Sequence, residues 1–393
     1  MAVSTKLYGK AVLLKISRIG RASGLAIAGA LALSACGSSS NSDSSSSAGG
    51  SSAAASSSAG ATGGSTAAAG SVTCFSGNLT AEGSTAQQNA ITQAISDYQG
   101  KCSGAKVSYN GTGSGAGITK FIAKQVNFAG SDSALSPDKG EPAKAKAACG
   151  SDALDIPMVT GPIAVSYNVK GVGKLNLTPK LIAQIFSGKI KTWDDPAIKA
   201  ANKGVTLPST KISVFFRSDS SGTTDNFTNY MNTVDPADWP NKHDKTWKGS
   251  VGQGKAKTAG VASAIKATDG GIGYVEWGYS IQNKLNMATV DGVALTADSA
   301  GKAIAAAKVI GTGKDLSLKI DYKTKAAGAY PIVLVTYEVA CSKYADATTG
   351  KNVKAFLSYM ASQDFQKQLT GVGAAPLPAA IQSKVVETIN SIS

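Results

Sequence analysis

Hydrophobic and polar positions follow two periods along this chain, and each period predicts a different element. A 3.6-residue spacing of apolar positions predicts helices at 90–98, ending near Gly100, at 118–122 and from about 353 to 369. Alternating or continuous apolar runs predict strands at 106–110, 127–131, 156–168, 211–216, 271–277 and 332–340. The order strand, helix, strand in the N-terminal half is typical of α/β domains that bind ligands at their strand ends.

The first 35 residues carry an export pattern. Five cations and no acid occur in residues 1–21, and a short run of small apolar residues follows at 24–35. This run is too short to span a bilayer and is typical of a secretory signal. It ends in Leu33-Ser34-Ala35-Cys36, which resembles a bacterial lipobox, where the Cys36 thiol receives a lipid and becomes the mature N-terminus. An uncleaved anchor with a chance cysteine is the alternative, and both interpretations place the remaining chain outside the cytoplasm.

The stretch 36–71 is almost entirely Ser, Ala and Gly. It has too few large apolar residues to offset the entropy cost of ordering, so we predict a flexible tether between lipid and domain. About 320 residues follow, which is enough for two domains. Removal of residues 1–35 lowers the formal charge from +14 to +9. That charge attracts small anions and suits an anionic membrane surface. The sequence has no basic run interleaved with aromatic residues, so it gives no indication of a nucleic-acid partner.

Four cysteines remain after Cys36, and an even number in an oxidising compartment favours disulfides over a metal site. Cys74 and Cys102 flank the first predicted helix, while Cys149 and Cys341 flank two apolar strands, so these two pairings are favoured. The single histidine, His243, lies among polar residues and is expected at the surface. One histidine supplies neither a zinc site nor a Ser-His-Asp enzyme well.

Three segments combine small residues, hydroxyls and the start of a helix. A helix N-terminus has free N–H donors and a partial positive charge, and glycine lets the backbone approach a ligand closely. Each segment could therefore aim N–H groups at one anion, although an ordinary helix N-cap is the alternative for any one of them. The segments are Gly83-Ser84-Thr85-Ala86, Gly113-Ser114-Gly115-Ala116-Gly117 and Ser220-Ser221-Gly222-Thr223-Thr224.

The third segment also carries a charge, because Arg217 and Asp219 lie between a strand and the donor loop. The Arg217 guanidinium can donate to two oxygens of a tetrahedral anion at once, and Asp219 can orient it. The alternative is a surface ion pair.

Taken together, these segments resemble the phosphate-binding proteins of bacterial phosphate importers, the PstS family, over roughly residues 80–393. The resemblance implies an α/β, two-lobed periplasmic-binding-protein fold of the type II or Venus-flytrap kind, with a ligand cleft between lobes. We expect lobe I at 72–160 and 331–393, lobe II at 161–330, and crossover strands near 159–165 and 330–333. The segments that carry the resemblance are 111–117 (GTGSGAG), 128–132 (FAGSD), 187–195 (SGKIKTWDD), 217–223 (RSDSSGT) and 271–276 (GIGYVE).

By motif, the resemblance implies phosphate contacts at eight residues, with Asp219 supporting the arginine. It implies no cofactor, no metal and no catalytic residue. The implied partners are inorganic phosphate, the permease subunits of an ABC importer and, through Cys36, the cell membrane, with the protein itself a monomer. Ala86 departs from the bulkier apolar residue common in the family, but the contact expected there is its backbone N–H. The eight residues are Thr85, Ala86, Ser114, Asp132, Arg217, Ser221, Gly222 and Thr223.

The presence of Asp132 in the site predicts selectivity for a protonated anion, because a carboxylate repels a bound anion unless the ligand brings a proton. Phosphate at neutral pH has a proton to donate and sulfate has none, so a buried acceptor would reject sulfate. The alternative role for Asp132 is a helix cap or a partner of a lysine.

Three other functions stay open at this stage. Gly111, Gly113 and Ala116 fit a dinucleotide-binding GxGxxG/A spacing, with Asp132 about 20 residues on, although an exported protein meets no dependable dinucleotide supply. A secreted phosphatase or sulfatase usually needs a metal cluster or an activated nucleophile, which the composition does not suggest. A binding protein for another oxyanion, such as sulfate or molybdate, or for a peptide would keep the fold and change the ligand.

Overall fold

A computed structural model describes residues 72–393, so the predicted signal segment, Cys36 and the tether lie outside the described residues. Most of the strands and helices predicted from hydrophobic periodicity are present. The strands are β1 (Gly77–Gly83), β2 (Ala105–Gly111), β3 (Phe128–Ser131), β4 (Ala153–Asn168), β5 (Asn176–Leu177), β6 (Ser213–Arg217), β7 (Gln253–Lys255), β8 (Gly271–Glu276), β9 (Asn286–Met287), β10 (Thr289–Val290), β11 (Lys308–Val309), β12 (Leu318–Lys319) and β13 (Val333–Cys341).

Nine of the described helices lie between these strands along the chain, and three follow the last strand. They are α1 (Gln88–Lys101), α2 (Ser114–Ile122), α3 (Glu141–Cys149), α4 (Pro179–Phe186), α5 (Pro196–Ala201), α6 (Gly222–Val234), α7 (Lys257–Ala267), α8 (Trp277–Asn283), α9 (Ala297–Ala305), α10 (Ala347–Ala361), α11 (Gln363–Gln368) and α12 (Ala379–Asn390), with short 3₁₀ turns at Pro137–Lys139 and Leu369–Val372. In residues 72–393 no helix combines the length and the apolar character needed to cross a bilayer.

Nine of the described strands form one mixed sheet with the order β2-β1-β3-β13-β4-β8-β6-β7, and β9 pairs with β4. The 16-residue β4 joins the two halves of this sheet. Its first part pairs antiparallel with β13 as far as Pro162, and from Ile163 onward it pairs with β8. The change of partner lies inside the predicted crossover at 159–165. Both long strands are almost wholly buried, which is why they appear in the sequence as continuous apolar runs.

Each half of the sheet has its own apolar core, as expected for the two-lobed fold. One core packs α1, with Ile91 and Tyr98, against α10 and β13. The other core surrounds Trp193, Phe227 and Tyr274, contributed by the loop before α5, by α6 and by β8.

Some residues of the predicted lobe II pack into the first core. Ala300 and Ile304 of α9 and Leu318 of β12, all within 161–330, pack into the core formed by α1, α10 and β13. The chain therefore returns to the first core before β13 begins. The lobe limits stay a prediction.

The helix predicted at 353–369 is two helices. α10 ends at Ala361, and Ser362 then caps α11 by accepting a hydrogen bond from the Phe365 N–H at 3.3 Å. A serine hydroxyl offers the backbone this alternative to a continuous helix, and the apolar spacing of the two segments hides the break.

Both favoured disulfide pairings are present. Cys74 pairs with Cys102 across α1, and Cys149 pairs with Cys341, with Cα–Cα distances of 5.3 and 5.5 Å. The second bridge spans 192 residues of sequence and ties the end of α3 to the end of β13. Closing so long a loop removes much conformational entropy from the unfolded chain.

Candidate functional site

Two helix N-termini meet at one point between the lobes. Ser114 is the first residue of α2, and its Oγ accepts hydrogen bonds from the backbone N–H of Gly222, the first residue of α6, at 3.2 Å and from that of Asp132 at 3.1 Å. Helices of 9 and 13 residues thus direct their positive ends to the same place. That arrangement favours a bound anion.

Asp132, directly after β3, is 3% exposed and lies among hydroxyl groups. Its Oδ1 accepts from Ser84 Oγ at 2.5 Å and from Thr336 Oγ1 at 2.8 Å, and its Oδ2 accepts from Ser114 Oγ at 3.0 Å. Burial raises the pKa of Asp132 to about 6, and the nearby charge of Glu276 acts in the same direction, against the three hydroxyl hydrogen bonds. The carboxylate is therefore a buried acceptor that ionises close to neutral pH.

The alternative role of Asp132 as a cap or lysine partner is not what the structure shows. Ser136 occupies the N-cap position of the next helical turn, and within residues 72–393 Asp132 forms no ion pair. The carboxylate instead contacts side chains from three separate segments of the chain.

Arg217, the last residue of β6, is 2% exposed, so its ion pair with Asp219 is not the surface pair left open by the sequence. Asp219 accepts from Arg217 Nε at 2.9 Å and also from Nη2. Burial would raise the pKa of Asp219, but the hydrogen bonds from Arg217 hold that pKa below its usual range. The remaining guanidinium nitrogen, Nη1, donates to Thr258 Oγ1 at 3.1 Å.

The first donor segment reaches the same site from the other lobe. Thr85 Oγ1 lies 2.9 Å from Thr258 Oγ1, the hydroxyl that accepts from Arg217. The Ala86 N–H, the ligand contact predicted in this segment, donates to Ser84 Oγ at 3.0 Å in this structure. Hydrogen bonds thus connect the first segment to Arg217 through Thr258 and to Asp132 through Ser84.

Ser221 is an N-cap, the alternative role that the sequence left open for a serine at a helix start. Its Oγ accepts a hydrogen bond from the Thr224 N–H of α6 at 3.2 Å. Its hydroxyl proton is not used by that cap. Thr223 is the second residue of α6; its Oγ1 is 3.4 Å from Arg217 Nη1 and donates to Glu276. The structure therefore brings all eight predicted residues into one connected polar cluster.

Four members of this cluster were not predicted. Ser84 and Thr336 bind Asp132, Thr258 binds Arg217, and Glu276 accepts from Thr223. Thr336 and Glu338 are polar residues within a strand that is otherwise largely apolar, a signal that could have identified Thr336. Glu276 ends an apolar strand, whereas Thr258 has no comparable signal in its sequence context.

At two positions in the site, neighbouring atoms approach the backbone so closely that only glycine fits. A Cβ on Gly222 would lie 2.5 Å from Asp132 Cβ and 2.7 Å from Ser114 Oγ. Gly113 has φ of 104°, and a Cβ there would lie 2.7 Å from Asp219 Oδ2. Any larger residue would push apart the segments that form the site.

Polar pairs join the two lobes beside this cluster. Asp225 of α6 accepts from Ser133 Oγ at 2.6 Å and lies 2.6 Å from His243 Nδ1. Lys245, 4% exposed, lies 3.5 Å from Glu141. The hydrogen bond with Asp225 raises the pKa of His243 against burial. His243 is half exposed, as expected, but it also borders the seam between the lobes.

The dinucleotide interpretation fits this geometry poorly. Asp132 lies 3.0 Å from Ser114 at the N-terminus of α2, where a dinucleotide would place its pyrophosphate rather than its ribose. Within residues 72–393, no group of three or more His, Cys, Asp or Glu side chains is placed to hold a metal ion.

Comparison with known proteins identifies the family. A family model described as the PBP superfamily domain matches residues 44–364. The phosphate-binding protein PstS2 of Mycobacterium bovis is 44% identical over 389 residues, which cover 97% of this chain and 100% of that protein. The chain belongs to the PstS family. A more distant PstS relative, from Xylella fastidiosa, is 34% identical over 79% of this chain and 84% of its own length.

Solved structures agree with the PstS fold. The periplasmic phosphate-binding protein PfluDING, solved with phosphate bound, gives a TM-score of 0.64 at 24% identity and covers 78% of this chain and 92% of its own. A phosphate-binding protein from Stenotrophomonas maltophilia gives 0.64 at 22% identity, with 79% and 94% covered. At these identities the likeness establishes the two-lobed α/β fold.

Proposed function

We propose that this PstS-family chain binds inorganic phosphate between its lobes outside the cytoplasm and delivers it to the permease of an ABC importer. The observation that carries the proposal is the buried Asp132 carboxylate among donors at the junction of two helix N-termini. A site made only of donors would accept any small oxyanion, whereas this one contains an acceptor as well.

The donors suit a tetrahedral anion. Arg217 supplies a buried guanidinium held by Asp219, and backbone N–H groups at the start of α6 supply further donors. Hydroxyl groups from Thr85, Ser114 and Ser221 add donors that can turn toward a ligand. Thr85, Ala86, Ser114, Asp132, Arg217, Ser221, Gly222 and Thr223 remain the proposed contacts, with Asp219 in support.

Asp132 is proposed to accept the ligand's own proton. An ionised buried carboxylate would repel sulfate without compensation, while phosphate replaces that repulsion with a hydrogen bond. The penalty for an unpaired buried acceptor is about 1–3 kcal/mol. This difference favours phosphate over sulfate, and arsenate should compete because it shares the shape and the proton of phosphate.

Titration calorimetry with phosphate, sulfate and arsenate tests this function. We expect phosphate and arsenate to compete for one site, with sulfate at least tenfold weaker, as follows from the unpaired-acceptor penalty. Tighter binding of sulfate would indicate a binding protein for another oxyanion, and binding of NAD or turnover of a phosphate ester would contradict the transport role.

The location is proposed from the N-terminal sequence. Lipid on Cys36 would hold the protein at the outer surface of the cell membrane as a monomer, with the tether leaving the lobes free to reach a permease. Replacement of Cys36 by Ala should release the protein or leave it unprocessed. Mature-sized variant in the membrane fraction after cell fractionation would contradict this anchor.

A further inference from the structure

Two distant segments of the chain meet along one side of the anion site. The first, 133–141, runs from just after β3 through the 3₁₀ turn to the start of α3, and the second, 243–245, lies between α6 and β7. The first belongs to the predicted lobe I, and the second belongs with α6 to the predicted lobe II. Three polar pairs, here called the seam contacts, join them: Ser133 Oγ with Asp225 Oδ2 of α6 at 2.6 Å, Lys245 Nζ with Glu141 Oε2 at 3.5 Å, and Lys139 Nζ with Asp244 Oδ1 at 3.3 Å.

Lys245 is the more deeply buried of the two cations in the seam contacts. Its side chain is 4% exposed and that of its partner Glu141 is largely buried, whereas Lys139 is half-exposed. Burial raises the pKa of Asp155 to about 7 and the charge of Lys245 opposes that rise, so the ammonium group also acts on a second acid of lobe I. An exposed pair contributes little to stability, but a buried ammonium group deprived of its carboxylate is costly.

The backbone of Lys245 also contacts the loop at the start of α6. Its carbonyl oxygen accepts a hydrogen bond from the Ser221 N–H at 2.8 Å, and Ser221 is one of the proposed phosphate contacts. The partner across the seam is oriented as well, because Glu141 Oε2 accepts from the Ser136 N–H at 2.8 Å. Lys245 therefore contacts the other lobe through its side chain and the anion-binding loop of its own lobe through its backbone.

We propose that Lys245 is a positioning residue whose pairing with Glu141 keeps the lobes closed and slows the release of bound phosphate. This inference rests on the proposed phosphate-binding function. Arg217 and Asp132 are almost completely buried, so a ligand held by both can leave only after the lobes separate. Separation moves Lys245 away from Glu141, and each charge then meets water instead of its partner. The pair stabilises the closed state alone, so its loss should change the rate of release.

The test compares phosphate affinity with phosphate release in the full-length protein. Calorimetry gives the dissociation constant, and a rapid-mixing chase of radiolabelled phosphate with excess unlabelled phosphate gives the release rate. The ratio of release rate to dissociation constant gives the association rate. In Lys245→Met, which removes the charge and keeps a long side chain, release should be about tenfold faster and association nearly unchanged, because loss of one partner of a buried charge pair acts mainly on dissociation. Lys245→Arg keeps the charge and should release phosphate within about threefold of the wild-type rate.

Lys189→Met is the matched control, because Lys189 pairs with Asp238 inside the predicted lobe II. Both lysine variants lose one positive charge, so the general attraction of the anion changes alike, and only Lys245→Met should release phosphate faster. Glu141→Gln should also speed release, since it leaves Lys245 without its carboxylate. The variant with both Lys245→Met and Glu141→Gln should show less than the product of the two single effects, as expected of residues in direct contact.

The outcomes separate this inference from the proposed function. Lys245→Met with the wild-type release rate, or a double variant whose effect equals the product of the single effects, would overturn the inference and leave phosphate binding intact. A merely structural role would lower the Tm of the phosphate-free variant and the fraction of protein that binds, with release unchanged. If Lys245→Met does not fold, Glu141→Gln removes the same pair and decides in its place. Failure of wild type to bind phosphate would overturn both.

Discussion

The Ser114 side chain accepts a hydrogen bond from the Gly222 backbone N–H across the two lobes, with Oγ and N 3.2 Å apart. The first residues of α2 and α6 are therefore in direct contact. This contact requires a residue without a side chain at position 222, since a Cβ would lie within 2.7 Å of Ser114 Oγ. Closure of the lobes and the geometry of the site thus depend on the same glycine.

Replacement of Gly222 by Ala should weaken phosphate binding by about 1–3 kcal/mol, the usual cost of overpacking a close contact. The added Cβ meets Asp132 and Ser114, so it opposes the closed arrangement rather than the folding of either lobe. Calorimetry measures the loss. Gly301→Ala in α9 is the matched control, because a Cβ there meets nothing within 4 Å; affinity lost equally in both variants would contradict the contact argument.

Arg217→Ala should cost several kcal/mol of phosphate binding, about 3–5 kcal/mol where one partner of a buried pair is removed. Arg217→Lys should recover only part of this loss, because an ammonium group cannot replace a planar guanidinium that bonds Asp219 and Thr258 together. Phosphate titration of both variants measures the effect, with exposed Lys308→Ala as the control for lost charge. An alanine variant that titrates like wild type would place the site elsewhere.

Local sequence patterns predicted the parts of the site that use backbone geometry. The glycine and hydroxyl segments around Ser114 and Gly222 both begin helices, and the strand before Arg217 was visible as an apolar run. Long buried strands such as β4 were predicted for the same reason. In contrast, β1 has only Leu79, Ala81 and Gly83 buried, which is too weak an alternation to predict a strand.

The tertiary partners of the site could not be predicted in this way. Glu276 reaches Thr223 because β8 pairs with β6, and Thr258 reaches Arg217 because α7 follows β7, the other neighbour of β6. No local pattern reveals either pairing. The capping role of Ser221 was foreseen as an alternative to ligand binding, and the structure shows that a cap does not use the hydroxyl proton. Sequence therefore identified the residues that local motifs mark, including the acceptor Asp132, but not the tertiary partners of those residues.

Stability should increase as pH falls from about 8 to about 5. Burial raises the pKa of Asp155 to about 7 and that of Glu338 to about 8, and Asp132 follows at about 6. Because these folded-state values exceed those of the unfolded chain, the folded state binds more protons in this range and gains stability as pH falls. The raised pKa of His243 acts in the same direction. Thermal unfolding at several pH values should show Tm rising toward pH 5.

Glu338 should account for part of this pH dependence, since neither of its buried oxygens has a hydrogen-bond partner among the described residues. Glu338→Gln should stabilise the protein by about 1–3 kcal/mol near pH 8 and reduce the change in Tm with pH. Exposed Glu387→Gln is the control. A Tm that rises with pH in wild type would show that these buried carboxyl groups do not set the trend.

Asp132→Asn should relax discrimination between phosphate and sulfate. The amide keeps the size of the side chain and one acceptor, but it removes the negative charge and adds an NH₂ donor that can face an unprotonated oxygen. Ser84, Ser114 and Thr336 can still bond to the amide oxygen, so the site should keep its shape. Sulfate should gain affinity relative to phosphate by about 1–3 kcal/mol, the penalty for an unpaired buried acceptor.

Paired titrations of wild type and Asp132→Asn with phosphate and sulfate, at one pH and one salt concentration, measure this change. Constant salt is needed because the predicted +9 charge of the mature chain makes anion binding sensitive to screening. Asp155→Asn is a suitable comparison, since it neutralises another buried aspartate with a raised pKa that accepts from Leu135 and Ser317. It should leave the phosphate-to-sulfate ratio unchanged. If the phosphate-to-sulfate ratio is also unchanged in Asp132→Asn, selectivity arises from other residues. In that case, removal of the carboxylate charge beside Ser114 would have had no effect on which anion the site holds.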